Sequence, residues 1–172
     1  MNQFIDNTHQ HRKEAEALLQ RLGDEMRVCN KMAADALTGD IAEGLHRFRK
    51  FRNKVSELQA LIAVIEDRCD KMRNDATVDL RLEVEKTDAR LMVLVVDTSI
   101  WFFETFQDMD VKPLGTREAC EFELRSLREI KERMEEADFM IGERGQDLKG
   151  QLDHVLVLLK QIIDRAPGLM EF

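Results

Sequence analysis

Two carboxylates and an indole, Asp97, Trp101 and Glu104, are spaced four and three residues apart in a stretch that is otherwise apolar. On a helix that spacing lines all three along one stripe. A carboxylate in apolar surroundings is costly unless paired, so the stripe reads in two functional ways. It could hold a cationic small molecule, the ring adding a cation–π contact, or it could act as an acid/base pair whose pKa values are driven apart by burial. Charged side chains are rarely buried alone, which favours a plainer reading of pairing with Arg or Lys on a facing helix, or simple exposure.

A second cluster is basic. Residues His46 to Lys54 run His-Arg-Phe-Arg-Lys-Phe-Arg-Asn-Lys with no acid among them. If Phe48 and Phe51 turn into a helix seam, Arg47, Arg49, Lys50, Arg52 and Lys54 form the outer face. Phosphate backbones, anionic lipid or an acidic protein patch would be attracted to such a face. The whole chain, however, has 26 basic and 34 acidic side chains and a net charge of −8. That charge repels nucleic acid at long range, and the acidic segment Glu118 to Asp147 offers partners within the chain. An ion-pair face is the favoured reading.

Metal and phosphoryl chemistry have thinner support. Glu43 and His46 have the Glu-x-x-His spacing of a carboxylate-bundle ligand pair, but that site needs a second such pair, and Gln151 to His154 supplies only its histidine. His46 beside Arg47 and Lys50 could carry a phosphoryl group, although a lone imidazole does not establish it. Cys29, Cys69 and Cys120 are odd in number, form no C-x-x-C and fall where a helix repeat wants an apolar residue. Reduced buried thiols follow, which fit a cytoplasmic location. There is no phosphate-binding glycine loop, G-x-S-x-G or H-E-x-x-H. The expectation is a protein without catalytic residues, metal or cofactor.

These side chains must be positioned by helices. The 172 residues include only two Pro and eight Gly, no Tyr, and 35% charged against 44% hydrophobic residues, a balance that nearly excludes an all-β fold. Apolar residues recur at three and four from Ala15 through Leu22, Met26 and Cys29 to Leu37, which predicts a helix over Asp6 to Leu37. Thr38-Gly39-Asp40 ends it, with Gly39 suited to a left-handed cap and Asp40/Glu43 to a capping box. Next, Phe48, Val55, Ile62, Cys69 and Ala76 repeat every seven, with Phe51, Leu58, Ile65 and Met72 as the matching d positions.

No Gly or Pro occurs between Gly44 and Pro113, yet Asn74-Asp75-Ala76-Thr77-Val78 is a run of weak helix formers. A break there gives helices over Ile41 to Arg73 and Ala76 to Gln107. The alternative is one long central helix from Ile41 to Gln107 with flanking helices folded back along it, carried through by a stutter near Ala76. Pro113 and Gly115 mark a loop, and Thr116 is an N-cap for a fourth helix from Arg117. Gly142, Gly145 and Gly150 predict an interruption before Leu148, Leu152, Val155, Leu159 and Ile162 resume the apolar pattern. Pro167-Gly168 ends the last helix and leaves a short tail over 167–172.

The expected architecture is therefore a single all-α domain over 1–172, an antiparallel up-down bundle of four main helices with coiled-coil-like seams. No secretory signal is expected at the start, and the longest apolar run, Leu91 to Val96, is far below the roughly 20 residues that span a bilayer. Between Leu91 and Phe106, all but five residues are apolar, on every side of a helix. Such a helix must be covered all round, either by the last helix of the chain or by another molecule. The interface expectation is a homodimer or other homo-oligomer through Val95, Trp101, Phe102 and Phe106. The functional expectation is an interaction or scaffold protein. Its alternatives are a carrier of a small molecule in the helical core and an anion binder using the basic face.

Overall fold

The computed structural model describes residues 2–136 and 138–166, apart from the side chains of 2–6, 41–42 and 138–142. Five α-helices and one 3-10 turn make up the described fold: α1 (Asn2–Ala36), α2 (Ile41–Asp70), the 3-10 turn Asn74–Ala76, α3 (Val78–Phe106), α4 (Thr116–Glu136) and α5 (Asp138–Arg165). The chain is an all-helical bundle, and the proposed tail over 167–172 lies outside the described residues.

The first reversal follows its local chemistry. Gly39 has φ +76°, a region an L side chain enters only at a cost. Arg47, one turn inside α2, donates from Nη2 to the carbonyls of Thr38 (2.6 Å) and Asp40 (2.9 Å) and meets the Glu43 carboxylate at 3.1 Å. Two carbonyls of the turn between α1 and α2 thus share one charged donor. The heptad positions of α2 from Phe48 to Cys69, and Met72 just past its end, are all buried. Lys54 reaches Glu25 at 2.5 Å and Arg68 reaches Glu14 at 3.4 Å. Partner numbers on α1 fall as those on α2 rise, so these two helices run in opposite directions.

The chain breaks between α2 and α3, so the single helix over Ile41 to Gln107 does not form. Thr77, fully buried, donates its hydroxyl to the Asn74 carbonyl at 3.0 Å and accepts from Arg81 Nε at 3.2 Å. From α1, Arg12 donates to the Ala76 carbonyl at 2.6 Å and pairs with Asp79 at 2.6 Å. Cap-prone residues start the break, and a guanidinium from another helix fixes it.

The expected interruption at Gly142 to Gly150 is corrected. Helix α5 (Asp138–Arg165) is continuous through all three glycines. A helical glycine costs about 1 kcal/mol relative to alanine. Burial of Leu148, Leu152, Val155, Leu158, Leu159 and Ile162 contributes about 1.5–3 kcal/mol per side chain, which outweighs three such costs. The described residues form five helices, where four main ones with an interrupted last helix were expected.

Helix α3 is common to two groups of three. It packs on α1 and α2 on one side and on α4 and α5 on the other. That arrangement accounts for an apolar surface on nearly every side: Leu91, Met92, Val95, Val96, Ile100, Phe102, Phe103 and Phe106 are all buried within the one chain. Phe48 of α2 stacks on Phe102 at 4.5 Å between ring centroids, and Phe103 meets Phe48 and Phe102 edge-on at 5.2 and 5.0 Å. Both geometries are favoured by the ring quadrupole.

All three cysteines are free and buried. Desolvation pushes the Cys29 thiol up to about 11 and Cys120 up to about 12, and raises Cys69 as well. Only thiolates attack disulfides. The folded chain should therefore show no thiol reacting with an aromatic disulfide reagent at pH 8 within minutes, and three after unfolding in guanidinium. One fast thiol in the native protein would show that a cysteine helix opens readily.

Candidate functional site

The stripe of Asp97, Trp101 and Glu104 lies on the partly exposed side of α3. Asp97 pairs with Arg144 of α5, and Glu104 faces His154 of the same helix at 3.9 Å. Neither carboxylate is buried, so the acid/base pair and enclosed cation pocket both lose their premise; the carboxylates instead form the plain pairing with a facing helix. Trp101 stays 60% exposed. Its ring borders a shallow groove completed by Ala36, Leu37, Thr38, Gly39, Phe102 and Thr105. Leu37, at the end of α1, is itself 45% exposed.

The expected interface quartet is split accordingly. Val95, Phe102 and Phe106 are buried inside the single chain, so they are unavailable to a second molecule, and that expectation is corrected. The physical reason is the double coverage of α3 by both flanking helix pairs. Trp101 alone of the four reaches the surface.

Most of the basic face is used internally. Arg47 holds the α1–α2 turn, Arg49 donates to the Gly115 carbonyl at 3.0 Å, and Lys54 pairs with Glu25 at 2.5 Å and Glu57 at 2.9 Å. Lys54 holds the Glu25 carboxyl below its ordinary value, chiefly by their hydrogen bond. Arg52 is turned inward to Glu123. Only Lys50 among the five is exposed with no such bond among the described residues. The face is thus used mainly for intramolecular bonds, in line with the ion-pair reading favoured from the sequence, and the alternative of a continuous anion-binding face is corrected. His46 is exposed, and Glu43, the other half of its proposed ligand pair, is taken by Arg47.

One polar site was not anticipated. Glu123 of α4 is 1% exposed and sits among three helices. Its Oε2 accepts from Arg52 Nε of α2 at 2.8 Å, and its Oε1 accepts from the Ser99 hydroxyl of α3 at 2.8 Å. Arg52 Nη2 also donates to Ser126. A signal for Glu123 was present: Cys120, Glu123, Leu127, Ile130 and Met134 repeat at three and four, which places the acid on the buried stripe of α4. Leu124, the apolar residue beside it, is only half-buried.

No protein-family model, curated protein or solved structure matches this chain. None of the described helices is long and apolar enough to cross a membrane. No cluster of three or more His, Cys, Asp or Glu that could hold a metal occurs among the described residues.

Proposed function

We propose that the protein is a non-catalytic interaction module that acts by packing against a second protein chain, a copy of itself, around Trp101. The observation that carries this reading is the exposure of Trp101 beside the half-exposed Leu37, while the neighbouring α3 aromatics Phe102, Phe103 and Phe106 are buried. Tryptophan is enriched among the residues that dominate interface energies. The rim supports self-association in particular. Asp97 and Glu104 border Trp101 along α3, and their partners Arg144 and His154 lie across on α5. A two-fold related copy can set acid against base across such a mixed rim. Three buried, unpaired thiols suit a reducing, cytoplasmic setting for that assembly.

Trp101 is also the single tryptophan, so its emission reports the contact directly. Sedimentation equilibrium should show dimer forming with concentration, accompanied by a blue shift of emission. Trp101→Glu should weaken association by at least ~10-fold, equivalent to about 1.4 kcal/mol, without lowering the melting temperature. A monomeric mass maintained to ~1 mM, where a contact worth about 4 kcal/mol would half-populate the dimer, overturns the proposal.

A further inference from the structure

The second feature lies on the other side of the bundle, between α2 and α4. These helices are joined through the Arg52–Glu123 pair and the bond from Arg49 to the Gly115 carbonyl, and between them open two cavities that share Arg52 and Phe122 as walls. The first, about 470 Å³, is polar and includes Ser56, Ser126 and Arg125. The second, about 350 Å³, exposes mainly apolar surface, with Leu45, Phe48 and Phe103 on its wall beside Arg49, Glu118 and Glu123. Phe122 stands between them and is 54% exposed, unusual for a phenylalanine with a helical core available to it.

Arg52 is the anomaly. It is only 9% exposed, and while Nε and Nη2 are bonded, its Nη1 is buried and finds no hydrogen-bond partner among the described residues. A buried donor without an acceptor is costly; this nitrogen is closed off from water, while the side chain it belongs to lines both cavities. Charge on the lining narrows what the polar cavity would take. Arg52 is neutralised by Glu123 and Arg133 by Asp88. What remains is the exposed Arg125 guanidinium, with the Glu129 carboxylate on the same wall. A dianionic phosphate would meet Glu129 with little positive charge to spare, whereas a single carboxylate matches one free guanidinium and the hydroxyls beside it.

We infer that the α2–α4 cleft is a binding site for a small amphipathic monocarboxylic acid. Its carboxylate lies in the polar cavity toward Arg52, Ser126 and Arg125, and its apolar body crosses Phe122 into the Leu45–Phe103 cavity. Small-molecule sites commonly have this form, an apolar wall with a few polar groups that fix orientation. The site is independent of Trp101, so its failure and that of the self-association would be told apart.

Titration of the whole protein with octanoate, followed by amide NMR shifts, tests the assignment. Octanol supplies the body without the head, and acetate and inorganic phosphate supply a head without the body. Octanoate should give saturable shifts centred on Ser56, Phe122, Arg125 and Ser126, at least ~10-fold tighter than octanol, acetate or phosphate. Arg125→Gln and Phe122→Ser change exposed residues, so both variants should fold, and each should weaken octanoate at least ~5-fold. Equal binding of octanoate and octanol, phosphate binding tighter than octanoate, shifts centred elsewhere, or affinity unchanged in both variants would each overturn the site. Saturable shifts with an acidic peptide and none with octanoate would assign the cleft to a protein partner instead, and overturn it equally.

Discussion

Glu123→Leu should cost about 3–5 kcal/mol of unfolding free energy, among the largest losses available to a single substitution in this chain. The magnitude follows from what is left behind. Arg52 is buried against α4, and its charge is met by the Glu123 carboxylate at 2.8 Å. Removing the acid leaves a guanidinium in a low-dielectric site with only Ser126 to accept from it, and it strips Ser99 of its acceptor. The pair as a whole is a different matter. Replacing both partners, as Arg52→Met with Glu123→Leu, should recover most of the loss, because hydrophobic groups of similar volume often equal or exceed a buried ion pair. Urea denaturation of the two single variants and the double variant measures the coupling. A Glu123→Leu loss below about 1 kcal/mol, the range of exposed pairs, would mean that water reaches Arg52 freely.

The second large effect compares two neighbours. Phe102→Ala should destabilise the fold by about 3–5 kcal/mol, since the ring stacks on Phe48 and Phe106 and is buried. Trp101→Ala, one residue away and with a larger ring, should change stability by less than about 1 kcal/mol, because most of that ring is already in water. The same denaturation experiment reports both. A Trp101→Ala loss as large as that of Phe102→Ala would place the indole in the core and remove the surface on which self-association depends.

Helix positions were legible where periodicity was strong. The α2 heptads, the Gly39 reversal and the break before α3 follow from residues that announce them, namely Phe48 to Met72, Thr38-Gly39-Asp40, and Asn74 to Val78. The end of α4 at Glu136 was not, because no glycine or proline occurs between Gly115 and Gly142. The three nearby glycines pointed to the wrong place, since glycine weakens a helix locally while burial of the α5 apolar seam decides over its whole length. Interface assignment failed for a related reason. Composition shows that α3 must be covered on every side but not by which molecule, and Val95, Phe102 and Phe106 were covered by the chain itself. Trp101 is only one helical position from Phe102. The buried Arg52–Glu123 pair joins residues 71 apart in sequence, a relation that neither residue's neighbours encode.

The position of α3 between two helix pairs also sets an order on biosynthesis. When α1, α2 and α3 have left the ribosome, the α3 flank that carries Ser99 and will receive Glu123 has nothing to cover it, because α4 and α5 are still to be made. At about 5–20 residues per second, the stretch from Gln107 to Arg165 takes roughly 3–12 s to appear. Throughout that interval the nascent chain presents an apolar strip to solvent or to a chaperone, and it is closed only when α4 and α5 have followed α3 out of the ribosome.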